Sequence, residues 1–345
     1  MMQAKFTKHT LQFIIPGGTS RGVLQEKDSW FIQVWNEENP AVVGVGECSI
    51  IPRLSIDDKP ELEQKIAETV SRVDEIQASF HQELKGWPSI RFALETALID
   101  LQQGGRRILY PSLFTQGGKS IPINGLIWMG DFDFMWHQAE KKFKSGFNVL
   151  KMKVGALNFD EEIYFIKQLR NSFPKAELRL DANGGFPPEE ALERLRALAE
   201  FNIHSIEQPI KAGNIGKMSN LCLNTPIPIA LDEELIGIHE KADKVKLLGI
   251  IRPQYIILKP SLVGGIEASE EWISIAENLN ILWWATSALE ANIGLNAIAQ
   301  WAFTKNNPLP QGLGTGSLYH NNIQSPLVVA DGSLHYKPRL SWGTI

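Results

Sequence analysis

Val149-Leu150-Lys151-Met152-Lys153-Val154 is the stretch on which the fold turns. Side chains alternate along a strand, so Lys151 and Lys153 share one face. A strand buried on both sides is nearly all apolar, and an inward charge there is costly unless it is paired or bound to a metal. Two lysines at the end of such a strand therefore need partners, and suitable groups recur downstream. The strand-like runs 178–183, 204–208, 227–232 and 255–260 end in Asp181-Ala182-Asn183, Glu207-Gln208, Asp232 (followed by Glu233-Glu234) and Lys259-Pro260. From Lys153 the steps to Asp181, Glu207, Asp232 and Lys259 are 28, 26, 25 and 27 residues. One strand-plus-helix unit occupies about 30 residues. Five consecutive strands thus bring one ionisable group each to the same rim, the C-terminal face where α/β barrels build their active sites.

Working outward, further strands are expected at 121–127, 281–285 and 310–313, with amphipathic helices at 160–173, 188–200, 265–279 and 292–303 between them. Pro187-Pro188 followed by Glu189-Glu190 marks one helix start. Eight strands alternating with helices over about 190 residues is the arithmetic of a barrel. An open doubly wound sheet is the competing arrangement, but no G-x-G-x-x-G turn follows the first strand.

The first hundred residues have an α+β pattern. Short strands at 10–15, 30–35 and 42–47 precede one helix after Pro60, whose stripe is Leu62, Ile66, Val70, Val73, Ile76, Phe80 and Leu84. A second helix, from Ser89 to about Gln103, stops at Gly104-Gly105. The division expected is an α+β cap over 1–118, a catalytic barrel over 119–316, and a C-terminal segment, 317–345, packing on the cap.

Composition bounds the function. The chain has 345 residues, 43% hydrophobic and 21% charged, which supplies a large core and no case for disorder. A net charge of −5 argues against a nucleic-acid binder but not against a small anionic ligand. Cys48 and Cys222 make no disulfide framework and fit no metal-ligand spacing, as in a reducing compartment. No signal-peptide core and no run of about 18 apolar residues occurs, so a cytoplasmic protein with no membrane partner is expected. Oligomeric state is not encoded in any feature found.

A lone carboxylate at a strand end is ordinarily a turn former or helix cap. In register, Asp181, Glu207 and Asp232 are instead a set of hard oxygen donors suited to Mg²⁺, with Mn²⁺ as a substitute. Lysines from the second and sixth strands would flank a molecule bound there. Lysine serves as a base near neutral pH once burial and a nearby cation lower its pKa. The step this predicts is removal of a proton alpha to a carboxylate, the enediolate being stabilised by the metal as a Lewis acid. Cys48 and His204 are read as structural, and the tryptophans, including Trp283-Trp284, as packing residues.

With Lys151-Met152-Lys153, Asp181, Glu207, Asp232 and Lys259 in place, the sequence resembles the enolase superfamily, in its muconate-lactonising-enzyme-like branch. The resemblance implies a (β/α)7β TIM-like barrel with an α+β capping domain formed by N- and C-terminal segments. It implies Asp181, Glu207 and Asp232 as metal ligands, and Lys153 and Lys259 as lysines on opposite faces of the substrate. Within the branch the o-succinylbenzoate synthase family is most similar. The likeness rests on Gly44 to Cys48 with Pro52, Leu54 and Ser55, on Arg91 to Leu98, on Ser287 with Glu290 and Gly294-Leu295, and on Gly312 to Gly316. The chain departs from that family at Ile50 and Arg53, where Pro and Gly are common, and at Ala291-Asn292, where small hydroxyl residues are usual.

The reaction implied is syn dehydration of 2-succinyl-6-hydroxy-2,4-cyclohexadiene-1-carboxylate to 2-succinylbenzoate in menaquinone biosynthesis. Lys153 would be base and then acid, and Lys259 a cation over the delocalised anion. Lys151, Asn183 and Ser287 would contact a small-molecule carboxylate substrate, Lys151 also holding down the Lys153 pKa. A dipeptide epimerase or N-acylamino-acid racemase would use the same ring, and a non-catalytic barrel that binds without reacting is a third reading.

Overall fold

The computed structural model describes residues 1–19 and 22–345. Three long strands open the chain: β1 (Met2–Thr19), β2 (Gly22–Asn36) and β3 (Asn39–Ser49), antiparallel in that order. They extend well beyond the short apolar runs in the sequence, because polar residues complete the pairing, as in Lys8↔Trp30 and Thr10↔Asp28. Trp30, Ile32 and Val34 of β2 face the cap helices, while Phe31 between them joins Leu11, Phe13 and Trp128 on the other side. The sheet is therefore covered on both faces.

The stripe from Leu62 to Leu84 packs as expected, but not as one helix. It is divided into α1 (Leu62–Ser71), α2 (Val73–Ile76) and α3 (Phe80–Glu83). Where α1 ends, the Ser71 hydroxyl donates back to the Glu68 carbonyl at 2.8 Å and competes with the helical bond at that point. Leu62, Ile66, Val73, Ile76, Phe80 and Leu84 nonetheless share one buried cluster. Next, α4 (Pro88–Gln102) lies directly on β3. A Cβ on Gly46 would stand 1.9 Å from the Ala93 carbonyl oxygen, and one on Gly44 2.0 Å from that of Ala97. Buried Asp100 of α4 accepts from Val45 N at 3.0 Å and Arg107 N at 2.6 Å; burial pushes its carboxyl up to about 6.

The expected strand 121–127 is two strands. In β4 (Ile121–Pro122) the chain pairs with the C-terminal tail; in β5 (Gly125–Ile127) it enters the barrel. The split arises because successive amides find different partners, Ile123 N donating to the Gly332 carbonyl and Asn124 N to that of Gln311, each at 3.0 Å. The barrel continues as α5 (Phe132–Lys144), β6 (Val149–Lys153), α6 (Phe159–Ser172), β7 (Glu177–Asp181), α7 (Ala191–Ala199), β8 (Ile203–Glu207) and α8 (Ile215–Asn224). It goes on through β9 (Ile229–Leu231), α9 (Lys241–Ile251), β10 (Tyr255–Leu258), the short α10 (Pro260–Val263), α11 (Gly265–Asn278), β11 (Leu282–Ala285) and α12 (Asn292–Thr304).

Strands β5 to β11 form one parallel sheet in sequence order. Parallel bridges Thr286↔Gly312 and Ile123↔Gln311 close it, so 310–313 supplies the eighth stave with only two bridges. The Pro187-Pro188 helix start is a turn, with regular helix from Ala191. Leu150, Met152, Leu178, Leu180, Ile206 and Ile256 belong to the main core with the helices, and their strand neighbours face the lumen. Ala230, Ile257 and Trp284 make a separate small cluster there, with the Arg179 guanidinium 4.5 Å from the Trp284 ring.

In the tail, His320 N donates to the Gln12 carbonyl of β1 at 2.9 Å. The hairpin β12 (Leu327–Ala330) and β13 (Ser333–Tyr336) pairs with β4. Two buried carboxylates tie the cap to the barrel. Glu47 of β3 accepts from Ala291 N at 2.7 Å and Gly294 N at 2.8 Å, at the start of α12. Glu95 of α4 accepts from Ile266 N at 2.6 Å and Glu267 N at 2.9 Å, at the start of α11; burial pushes its carboxyl up to about 7. Helix N-termini present unpaired N–H groups and favour such anions. Among the described residues no helix is long and apolar enough to cross a membrane.

The close approach of β3 to α4 is open to test. Gly46→Ala should cost about 3 kcal/mol in urea unfolding through overpacking against backbone. Gly86→Ala, where a Cβ meets nothing within 4 Å, should leave the midpoint nearly unchanged. Equal effects from the two would remove the claim.

Candidate active site

Parallel pairing aligns the strand ends: Lys153 lies opposite Asp181, and Asp181 opposite Glu207. Past the strand ends the backbone leaves the sheet through left-handed conformations, with φ of +44° at Asn183 and +39° at Gln208. Asp232 directly follows β9 and Lys259 directly follows β10. All five groups meet at one rim, and Lys151, one pair inward from Lys153, joins them.

Asp181, Glu207 and Asp232 are 1%, 2% and 3% exposed. Lys151 Nζ lies 2.8 Å from Asp181 Oδ2 and also donates to Glu207 Oε2. Lys153 Nζ donates to Asp181 Oδ2 and to Asn183 Oδ1, each at 2.6 Å. Across the lumen Lys259 Nζ donates to Asp232 Oδ2 and stands 3.5 Å from Glu207 Oε1. The second and sixth of eight staves are diametrically opposed, so Lys153 and Lys259 approach the centre from opposite sides.

Burial alone would raise the Asp181 carboxyl, yet Lys151, Lys153 and Lys259 together hold it well below the usual carboxylate range. At Asp232 burial prevails and, with Glu233 and Glu207 nearby, the carboxyl is raised against the pull of Lys259. Burial by itself would lower the pKa of Lys151 and Lys259, but Asp181 and Glu207 outweigh it at Lys151, and Asp232 and Glu207 at Lys259, so both ammonium forms are favoured.

The ring stands in a cavity of about 490 Å³. Lys151, Lys153, Asn183, Lys259 and Ser287 line its floor, and Ile14, Ile51 and Leu54 of the cap line its mouth. The Ser287 hydroxyl is already committed, donating to Glu290 Oε2 at 2.6 Å and accepting from Leu289 N at 2.9 Å and Thr315 Oγ1 at 2.8 Å. Glu290 also accepts from Ser261 Oγ. Cys48 is buried with its sulfur 3.1 Å from Ser89 Oγ, and burial pushes its thiol above the ordinary range; it lies in the cap core. His204 contacts Ser205, Tyr255 and Trp284, below the rim.

Two residues not singled out from sequence also hold the ring. Glu233 Oε1 accepts from Asn183 Nδ2 at 2.9 Å, so the chain Lys153–Asn183–Glu233 spans from the second stave to the fifth. Gln208 Nε2 donates to Glu234 Oε2 at 3.0 Å, and its Oε1 accepts from Asp232 N at 3.2 Å. The acidic triplet Asp232-Glu233-Glu234 was the available signal for both contacts.

A family described as enolase C-terminal domain-like matches residues 135–341. The o-succinylbenzoate synthase of Desulfotalea psychrophila is 43% identical over 96% of this chain and 98% of its own length. The chain belongs to the enolase superfamily. The crystal structure of MenC from Desulfotalea psychrophila LSv54 superposes with a TM-score of 0.83 at 39% identity, covering 97% of this chain and 99% of that one. The L-Ala-D/L-Glu epimerase of Thermotoga maritima is 26% identical over 72% of this chain and 68% of its own. A muconate lactonizing enzyme from Pseudomonas fluorescens shares the fold, with a TM-score of 0.84 at 23% identity over 99% of this chain and 96% of that one.

Members of the superfamily use a divalent metal, and a dipeptide epimerase from Enterococcus faecalis was solved with Mg. In this structure Lys151 and Lys259 stand among the three carboxylates. Among the described residues no three carboxylate, imidazole or thiolate groups converge as ligands of one ion do. The donor chemistry nevertheless fits a hard cation: three buried carboxylates from successive staves, with Glu207 Oε1 lacking any hydrogen-bond partner among the described residues. Asp181, Glu207 and Asp232 could hold a divalent cation, which would compete with the ammonium groups for the same oxygens.

That competition has a thermal signature. Mg²⁺ at a hundred times its Kd should stabilise the unmodified protein by about 2.7 kcal/mol, seen as a rise in Tm. Glu207→Gln should lose most of this rise. A full Mg²⁺ shift in the variant would remove Glu207 from the ligand set.

Proposed function

We propose that this chain is an enzyme of o-succinylbenzoate synthase chemistry, a carbon–oxygen lyase. It would dehydrate 2-succinyl-6-hydroxy-2,4-cyclohexadiene-1-carboxylate to 2-succinylbenzoate on the way to menaquinone, in the cytoplasm. One observation carries the reading: 43% identity to the Desulfotalea enzyme along nearly the whole of both chains. The substrate is a small carboxylate, and the reaction calls on neither nucleic acid nor membrane. In this reading residues 1–118 are the cap, 119–316 the catalytic barrel, and 317–345 a segment that packs on the cap while its hairpin β12–β13 pairs with β4.

Asp181, Glu207 and Asp232 are assigned as ligands of a divalent cation, Mg²⁺ or Mn²⁺. When bound, the cation supplies Lewis-acid stabilisation of negative charge on the substrate carboxylate. Lys153 as the free amine takes the ring proton alpha to that carboxylate. The C–H electron pair first delocalises over the carboxylate and the ring, and then forms the new ring double bond as the carbon–oxygen bond to the hydroxyl breaks. The resulting Lys153 ammonium gives its proton to the departing hydroxyl on the same face, so water leaves and the amine is restored. Lys259, on the other side, stays protonated and stabilises the delocalised anion electrostatically.

Lys151 is assigned to the substrate carboxylate. Asn183 orients Lys153 through its 2.6 Å hydrogen bond. Ser287 is assigned to the substrate wall near the succinyl group.

Purified protein with Mg²⁺ should convert the cyclohexadiene to the aromatic product, and chelator should stop it. Lys153→Ala should lower kcat by about 10²–10⁴-fold as the base is lost. Lys259→Ala should lower it by about 10²–10³-fold as electrostatic stabilisation is lost. Epimerisation of dipeptides with solvent-deuterium exchange dependent on both lysines, and no aromatic product, would replace this reading by the epimerase one.

A further inference from the structure

The cap loop after β3 carries a cation for which the chemistry above has no use. Arg53 is exposed and lines the same cavity as Lys153 and Lys259. Its φ is +64°, in the left-handed region that disfavours side chains other than glycine's hydrogen. The loop keeps that conformation with Arg53 N donating to Asp58 Oδ2 at 2.7 Å. The guanidinium reaches back over the start of β2, where Nη2 lies 3.0 Å from the place a Cβ on Gly22 would take. Arg53 therefore joins the two cap segments at the cavity mouth, and among the described residues no carboxylate forms an ion pair with its guanidinium.

We infer that Arg53 binds the second carboxylate of the substrate, the one at the end of the succinyl chain. This rests on the function proposed above, which places two carboxylates on one small molecule. The carboxylate at the reacting carbon belongs to the charged floor of the cavity. The other is held away from the floor by the succinyl chain, so it needs a cation near the mouth.

Lys141 and Lys142 also line the cavity, but they belong to the last turn of α5. That helix runs back along the strands toward the opposite end of the barrel, and Lys142 Nζ sits 4.9 Å from the centre of the Phe147 ring. Among the described residues that line the cavity, Arg53 is the cation on the mouth side. Its planar fork matches a carboxylate with two parallel hydrogen bonds, a geometry lysine lacks. A cation at an exposed mouth acts on binding, not on the proton transfers at the floor.

The test uses two variants and two ligands with Mg²⁺ present. Arg53→Gly removes the charge and suits the positive φ; Arg53→Gln removes the charge and keeps a side chain in the strained backbone. Both should raise KM for the cyclohexadiene by about tenfold to a hundredfold, with kcat within a few-fold. Titration calorimetry should show the same loss for 2-succinylbenzoate, and little difference between unmodified protein and variants for its ester at the succinyl carboxylate. Equal losses for acid and ester, or a KM change in Arg53→Gly alone, would overturn the assignment by locating the effect in the loop backbone. Unchanged KM in both variants would overturn it too. No turnover by the unmodified protein would instead overturn the function proposed above, and this inference with it.

Discussion

Three ammonium groups lining the cavity and three buried carboxylates must neutralise one another at the C-terminal rim of the barrel. An unpaired charge there would cost several kcal/mol, so removing one partner penalises the others. A buried ionic cluster adds little net stability compared with a well-packed apolar one. Its value is positional. Each group arrives from a different stave, and the parallel register sets Lys153 beside Asp181 and Asp181 beside Glu207. Helix packing outside and the apolar plug of Ala230, Ile257 and Trp284 beneath hold that register.

The cap is held by charge of a different kind. Glu47 and Glu95 each leave a cap element and accept two backbone N–H bonds at the start of a barrel helix. Burial disfavours both carboxylates, and the helix ends compensate. These contacts place the mouth loops over the ring. The Glu47 bonds meet α12 at Ala291 and Gly294, directly after Glu290, which binds the hydroxyls of Ser261 and Ser287. Cap docking and the substrate wall thus share one short segment.

Much of this was legible along the chain. The 25-to-28-residue recurrence of Lys153, Asp181, Glu207, Asp232 and Lys259 identified both barrel and rim, because a strand-plus-helix unit has a nearly constant length. The stripe from Leu62 to Leu84 identified a buried face, yet the periodicity carried no mark of the break where Ser71 bonds back to Glu68. The run 121–127 looked like one strand, since apolar alternation says which side is buried and not which strand is the partner. For the lysines, burial was legible from the strand pattern. The carboxylates that raise Lys151 and Lys259 were visible only as residue types, not as distances.

The sequence by itself determined what is set by local period and chain length: a barrel of repeated strand–helix units, a capping α+β region, and one charged group at the end of each of five strands. Tertiary structure decided which charges touch. It made Asn183 and Glu233 a relay from Lys153, closed the eighth stave with two bridges, and put Glu47 and Glu95 on the N-termini of helices about 245 and 170 residues away. The physical reason is range. Side-chain alternation and helical pitch act over a few residues and are written into the chain. An ion pair or a helix cap is chosen by distance in space, which no single stretch of sequence contains.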